Sequence, residues 1–179
     1  MAATTRETVE LAVEGDGYGV IVDQIATSHP FKPNLPIGRV LRDLANATTK
    51  VIVAFKSEAE RARILALPHP KLTPYTRTDP AEIAAELAKV AEEKVAFDLE
   101  EQNLGVCAVA APIFGPNGDL RAALTLVAPK ERFGPRERKK RADAVRETAE
   151  KISQLVISGA RATMPSPGAS SGTTPAVER

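Results

Sequence analysis

The stretch that decides the fold is Val106–Ala128, VCAVAAPIFGPNGDLRAALTLVA. Two apolar runs, Val106 to Phe114 and Leu120 to Ala128, flank Gly115-Pro116-Asn117-Gly118-Asp119. A short loop containing Asn-Gly between two such runs predicts a β-hairpin. Immediately upstream, Val95 to Asp98 reads as a short strand. Before it, Asp79-Pro80-Ala81-Glu82 opens a helix, with Asp as N-cap, Pro at the first helical position and an acid three residues after the cap. That helix runs to about Lys94, with Ile83, Leu87, Val90 and Ala91 on one face. Downstream, Pro135 to Ile157 reads as a long helix with a stripe of Ala142, Val145, Ala149, Ile152 and Val156.

Further out, Thr8 to Glu14 (TVELAVE) alternates Val9, Leu11 and Val13 with polar partners, the period of a half-buried strand. Gly15-Asp16-Gly17 predicts a tight turn, and Tyr18 to Ile25 the returning strand. Pro30, Pro33 and Pro36 exclude a helix interior or central strand from Ser28 to Gly38, leaving an extended connection or a short edge strand. Asp43 to Phe55 (DLANATTKVIVAF) is two-sided: its β-branched residues favour strand, while its ANA start and the charged helix that follows allow a buried helix. Ser57 to Leu67 reads as a helix capped by Ser57. From Gly159 onward, Ala, Gly, Pro, Ser and Thr supply 16 of 21 residues, so 1–158 is expected to form the folded domain and 159–179 a disordered tail. The order of elements is that of an α+β domain, an antiparallel sheet covered by helices.

Composition narrows the function classes. Lys+Arg is 24 and Asp+Glu 23, a formal net charge of +1, too balanced for a whole-chain field that gathers nucleic acid or anionic membrane. No apolar run approaches the ~20 residues that span a bilayer, and MAATTRETVE is not an export signal. The chain has one cysteine and two histidines, His29 and His69, each followed by Pro in a loop. That excludes an internal disulfide framework and a Cys-rich zinc site, and shows no metal-ligand spacing. The expectation is a cytoplasmic protein without cofactor or metal.

Three features could carry chemistry. Asp98, Glu100 and Glu101 form a D-x-E-E cluster after a strand, able to present a carboxylate to a cavity or to remain a solvated loop. Cys107 sits in an apolar strand with no local cation or His to activate it, the setting of a buried structural thiol. Arg136, Arg138, Lys139, Lys140 and Arg141 are cations in a six-residue window, a nucleic-acid patch or a solvated helix face. No phosphate-loop, dinucleotide, zincin or nucleophile-elbow motif occurs.

Four stretches in order carry a resemblance: ETVELAV (Glu7 to Val13), LPHPKLTPYTRTDP (Leu67 to Pro80), FDLEEQNLGVCAVAAPIF (Phe97 to Phe114) and ALTLVAPKERF (Ala123 to Phe133). Together they resemble the C-terminal effector-binding domain of IclR-family transcriptional regulators, over about Thr8 to Ile157. The resemblance implies a GAF-like domain, a curved antiparallel sheet with helices on both sides, and makes Asp43–Phe55 a helix. It implies a small-molecule effector, commonly an organic or aromatic acid, and self-association as dimers or tetramers. It implies contact with DNA only through an N-terminal winged helix-turn-helix that is absent from this chain. The family's ligand-binding positions fall on Ala47, Thr48, Asp98, Val106, Ala108, Thr125 and Val127. Asp98 keeps the family's acid and Thr125 a hydroxyl. Ala108 stands where Cys is common, with Cys107 one place earlier. Val127 replaces a serine, Thr49 a glycine before Lys50, and Leu44 a histidine. These exchanges remove polar anchors, so the ligand expected is larger and more apolar than a two- or three-carbon keto acid. The competing readings are an enzyme on the same scaffold, using Cys107 or the Asp98/Glu100 pair, and a scaffold or nucleic-acid module using the basic run 136–141.

Overall fold

The computed structural model describes residue 1 and residues 5–163, apart from 16, 17, 28, 31 and 34. Six strands form one sheet: β1 (Thr8–Gly15), β2 (Tyr18–Ile25), β3 (Val40–Leu41), β4 (Ala96–Leu99), β5 (Val106–Phe114) and β6 (Leu120–Pro129), in the order β3-β2-β1-β6-β5-β4. Every pairing is antiparallel. The β5–β6 hairpin lies inside the sheet and carries the core on both faces. Ala108, Ala110, Ala123 and Val127 pack on one side, Cys107, Val109, Leu124 and Leu126 on the other.

Helices α1 (Ala47–Ala54), α2 (Glu58–Leu65) and α3 (Pro80–Glu93) precede β4, and α4 (Pro135–Thr163) follows β6. α1 and α3 share a buried cluster with the first face, and α4 packs on the second. This is the curved α+β sheet with helices on both sides.

α1 is helical although its sequence, ATTKVIVA, is rich in β-branched residues. All eight of its residues are buried, and burial overrides a per-residue propensity difference of a few tenths of a kcal/mol. Asn46 caps it, its side chain accepting from Thr48 N and Thr49 N. On β2, Gly19 admits this helix: a Cβ there would sit 3.1 Å from Ile52 Cδ1 and 3.2 Å from Thr48 Cγ2.

Two boundaries differ from the expectation. The edge strand is Val40–Leu41, beyond the last proline of the 28–38 segment, where each residue again has an N–H to pair. The last helix continues to Thr163, past the expected boundary at 158. Ala160, Arg161 and Ala162 are strong helix formers and no proline occurs before Pro165, so the composition of 159–179 as a whole hid a helical start. The rest of the expected tail, 164–179, lies outside the described residues, as do Asp16 and Gly17 of the expected turn.

Candidate functional site

The strand register lays the sheet face beneath α1 out in two rows. Thr8, Val127, Ala108 and Asp98 are mutual partners across β1, β6, β5 and β4. One step along, Gln24, Glu10, Thr125, Ala110 and Ala96 run across β2, β1, β6, β5 and β4. The first row is polar at its ends and apolar between them, and the second is polar as far as Thr125 and finishes in two alanines. Thr8, Glu10, Asp98 and Thr125 are all buried.

α1 stands on the floor at Thr125. The Thr48 and Thr125 hydroxyls are 2.7 Å apart and hydrogen-bonded, so Thr125, 1 % exposed, has a protein partner rather than a free hydroxyl. Ala47, Thr48, Asp98, Ala108, Thr125 and Val127 are thus buried together between α1 and the sheet, and Val106 is partly buried against the same cluster. Asn46 Oδ1 accepts from Thr48 N at 2.8 Å and Thr49 N at 3.4 Å. That leaves Ala47 with the first-turn N–H that has no partner among the described residues. The helix end therefore offers less to an anion than an uncapped one would. A small cleft of about 170 Å³ opens ahead of this turn, lined in part by Arg42, Asp43, Leu44, Ala45 and Thr76. None of the candidate residues lines it.

The acidic cluster divides into three jobs. Asp98, 3 % exposed, accepts from Glu101 N at 2.8 Å and Gln102 N at 3.3 Å, closing the turn into the β4–β5 loop. Burial pushes its carboxyl up to about 7, against the pull of those two N–H donors and of the Lys50 ammonium. Glu100 has a φ of 62°. Its carboxylate accepts from Gly105 N at 2.9 Å and Lys130 Nζ at 3.1 Å, which ties the loop and holds its pKa below the usual range. Glu101 serves Lys50.

Lys50 is a buried cation that the sequence reading passed over. At 1 % exposure its ammonium donates to Glu101 at 2.7 Å, Glu86 at 2.8 Å and the Phe97 carbonyl at 2.8 Å. Arg77 reaches the same two carboxylates at 3.0 and 3.3 Å. The cluster locks α1 to α3 and to the loop that Asp98 closes. The available signal was a lysine in a helix apolar on every side, which can be buried only with acids around it.

Glu10 was also missed. It is 3 % exposed. Its Oε1 accepts from Gln24 Nε2 at 3.1 Å, and the same amide donates to the Leu35 carbonyl at 3.1 Å. Beside it the Thr8 hydroxyl donates to the Pro33 carbonyl at 3.3 Å, so the segment after β2 folds back along this end of the floor. Burial pushes the Glu10 carboxyl up to about 7, with the Gln24 bond pulling the other way. The alternation of Val9, Leu11 and Val13 identified one buried face of β1 and implied a wet one opposite. The carbonyls of Pro33 and Leu35 lie along that opposite face, bonded by Thr8 and Gln24.

Strand alternation puts Cys107 on the face under α4, opposite Asp98 and Ala108, and burial raises its thiol to about 11, away from reactivity. The basic run does not form one patch. Arg141 turns inward, donating with Arg132 to buried Glu7 at 3.0 and 2.7 Å, and Lys140 pairs with Glu137. Among the described residues no group of three His, Cys, Asp or Glu could hold a metal, and no helix is long and apolar enough to cross a membrane.

Comparison with known proteins places this architecture in a class of regulatory domains. The family described as "Bacterial transcriptional regulator IclR C-terminal" matches residues 1–154, and the chain belongs to that family. Among curated relatives, the transcriptional repressor IclR of Escherichia coli is 31% identical over 133 residues, 71% of this chain and 47% of that protein. The chain therefore spans about half the length of such relatives. The crystal structure of Thermotoga maritima IclR superposes with a TM-score of 0.80 at 29% identity, covering 87% of this chain and 63% of that one. The inducer-binding domain of PobR from Acinetobacter, a double mutant solved with 3-hydroxybenzoic acid, gives 0.77 at 25% identity, covering 87% and 92%.

Proposed function

We propose that this domain is the effector sensor of an IclR-type transcriptional regulator. Its ligand is a small organic or aromatic carboxylate held between the first turn of α1 and the sheet, against Ala47, Thr48, Asp98, Val106, Ala108, Thr125 and Val127. The observation that carries this reading is the clustering of buried polar side chains on one sheet face. Thr8, Glu10, Asp98 and Thr125 lie on the sheet face that carries α1, with Thr48 bonded to Thr125. A face serving only as core has no use for two desolvated carboxyls, whose burial costs free energy. With its proton retained up to about pH 7, Asp98 can donate to a ligand carboxylate beside the Ala47 N–H. The apolar midline of Ala108 and Val127 suits a ring or an alkyl body. Occupancy changes how α1 sits on the sheet, and through it the oligomer geometry and DNA binding of the parent protein.

The test is a calorimetric and thermal-shift screen of aromatic and aliphatic monocarboxylates beside glyoxylate and pyruvate. An aromatic or longer-chain acid should bind, adding about 2.7 kcal/mol of stability at 100 times its dissociation constant. Ala108→Leu, which fills the midline, should remove that binding and keep the fold. Tight binding of glyoxylate with none of the larger acids, or binding untouched by Ala108→Leu, rejects the proposal.

A further inference from the structure

We infer that the cleft between α3 and the edge strand β4 is a second ligand site. It takes a small uncharged molecule that carries an N–H or O–H donor, a carboxamide or an alcohol, on an apolar body. Oε2 of Glu101 accepts that donor. The inference does not depend on the effector site proposed beneath α1.

β4 is the last strand of the sheet and pairs only with β5. A cleft of about 390 Å³ is lined by this strand and by α3, a volume that holds a small molecule. Val90, Val95, Phe97 and Leu99 give it apolar wall, and Arg77, Glu86 and Glu101 give it one polar cluster. Three buried side-chain atoms have no hydrogen-bond partner among the described residues: Glu101 Oε2, Arg138 Nε and Arg141 Nη1. Of these three residues only Glu101 lines a described cleft. Glu101 is 3 % exposed. Its Oε1 accepts from Lys50 Nζ at 2.7 Å and Arg77 Nη1 at 3.0 Å, which meets the structural need for an acid beside Lys50. Oε2 is left over, and a buried acceptor without a donor marks a place where the partner comes from outside the chain. Arg77 is the exposed member of the cluster, so its side chain is the one free to swing and admit that donor. Charge decides the class of ligand. Glu86, Glu93 and Glu101 are balanced by Lys50, Arg77 and Lys89, with Lys89 paired to Glu93 at 3.6 Å. A cation would meet Lys50 and Arg77 beside the same carboxylate, and an anion would meet Oε2 itself. An uncharged donor meets neither repulsion.

The experiment titrates the protein with matched probes and follows backbone amide signals by two-dimensional NMR. Benzamide and cyclohexanecarboxamide carry the donor, and acetophenone and cyclohexyl methyl ketone have the same shapes without it. Benzoate and benzylamine supply the two charges. At least one carboxamide should shift amides within 85–93 and 95–101, the segments that line the cleft. It should bind there about tenfold or more tighter than its ketone and than either charged probe. Glu101→Gln keeps an oxygen for Lys50 and Arg77 and turns Oε2 into a donor, so it should bring carboxamide and ketone within about twofold. Ala85→Phe fills the cleft from an exposed position on α3 and should weaken the carboxamide tenfold or more. If no probe shifts those amides, or the ketones or charged probes bind there as tightly as the carboxamides, water alone serves Oε2 and the inference falls. It falls equally if Ala85→Phe leaves the binding unchanged. The ketone comparison and Ala85→Phe decide the matter even where Glu101→Gln fails to fold.

Discussion

The two faces of the sheet are built from the same strands and do different work. Under α4, β5 and β6 present Cys107, Val109, Leu124 and Leu126 against Phe133, Val145 and Ala149. That layer is mainly hydrocarbon, stabilised by area removed from water, with one buried acid beside it, Glu7, matched by Arg132 and Arg141. Under α1, the alternate residues of the same strands are Ala108, Ala110, Ala123 and Val127, smaller on average, with Thr125, Glu10 and Asp98 among them. Small side chains give up packing, and buried acids cost desolvation. Glu7 on the α4 side is matched by two arginines, whereas Glu10 and Asp98 have no ion pair among the described residues, which sets the face under α1 apart. Substitutions on the two sides should therefore separate stability from ligand response.

The largest effect is expected at the cation that closes the polar side. Lys50→Ala leaves Glu101 buried beside only Arg77, and should cost about 3–5 kcal/mol in urea unfolding. Lys50→Met, removing the charge but keeping the length, should cost a similar amount unless Glu101→Gln is introduced with it, and the pair of changes should recover part of the loss. Equal losses for the single and double variants would show that Lys50 acts by packing alone. On the other side, Leu126→Ala should cost roughly 2–5 kcal/mol. Because its side chain faces α4, any effector that binds the unmodified protein should bind this variant with the same dissociation constant at temperatures where it stays folded. A tenfold weaker effector would mean that the two faces are not independent.

Much of this arrangement was legible in the sequence. The Asn-Gly hairpin, the Asp79-Pro80 helix start and the Ser57 cap are local signals, set by turn and cap chemistry within a few residues, and each lies where expected. α1 was not local: its β-branched run argues for strand until burial on all sides is known. Glu10 and Lys50 escaped for the same reason in a sharper form. Whether an acid on an alternating strand is wet depends on what lies over it, and the backbone beside Glu10, at Pro33 and Leu35, comes from more than 20 positions away. The family positions transferred by resemblance did fall beneath α1, but resemblance could not show that Thr48 and Thr125 bond each other, or that Asn46 uses two of the N–H groups expected to be free.

Acidity distinguishes the faces next. In the folded protein Glu10 gives up its proton at about 7, against an ordinary 4.5. The folded form therefore binds that proton more tightly than the unfolded chain. The stability it contributes is complete below about pH 4.5 and is lost as pH rises through about 7, a change of about 3 kcal/mol. Asp98, raised from 3.8 to about 7, adds a loss of the same sign. Glu10→Gln should flatten this slope, so the variant gains on the unmodified protein at pH 8 and loses that advantage at pH 4. Unfolding midpoints measured from pH 4 to 8 decide it, and a slope unchanged by Glu10→Gln would mean that water reaches the carboxyl.

The smallest effect probes the hinge between α1 and the floor. The 2.7 Å contact of Thr48 and Thr125 is one neutral hydrogen bond inside a dry layer, worth about 1 kcal/mol net. Thr48→Val and Thr125→Val each leave one hydroxyl buried and unpaired, so each should cost about 1–3 kcal/mol, while the double variant should cost less than their sum. That coupling concerns stability. For the effector the singles should differ from the double in the opposite sense. A single variant frees a hydroxyl that a ligand carboxylate can take, whereas the double variant leaves none, so affinity should follow single above double. If instead the double variant binds as well as the singles, neither hydroxyl reaches the ligand, and α1 is tied to the sheet at a point the effector does not touch.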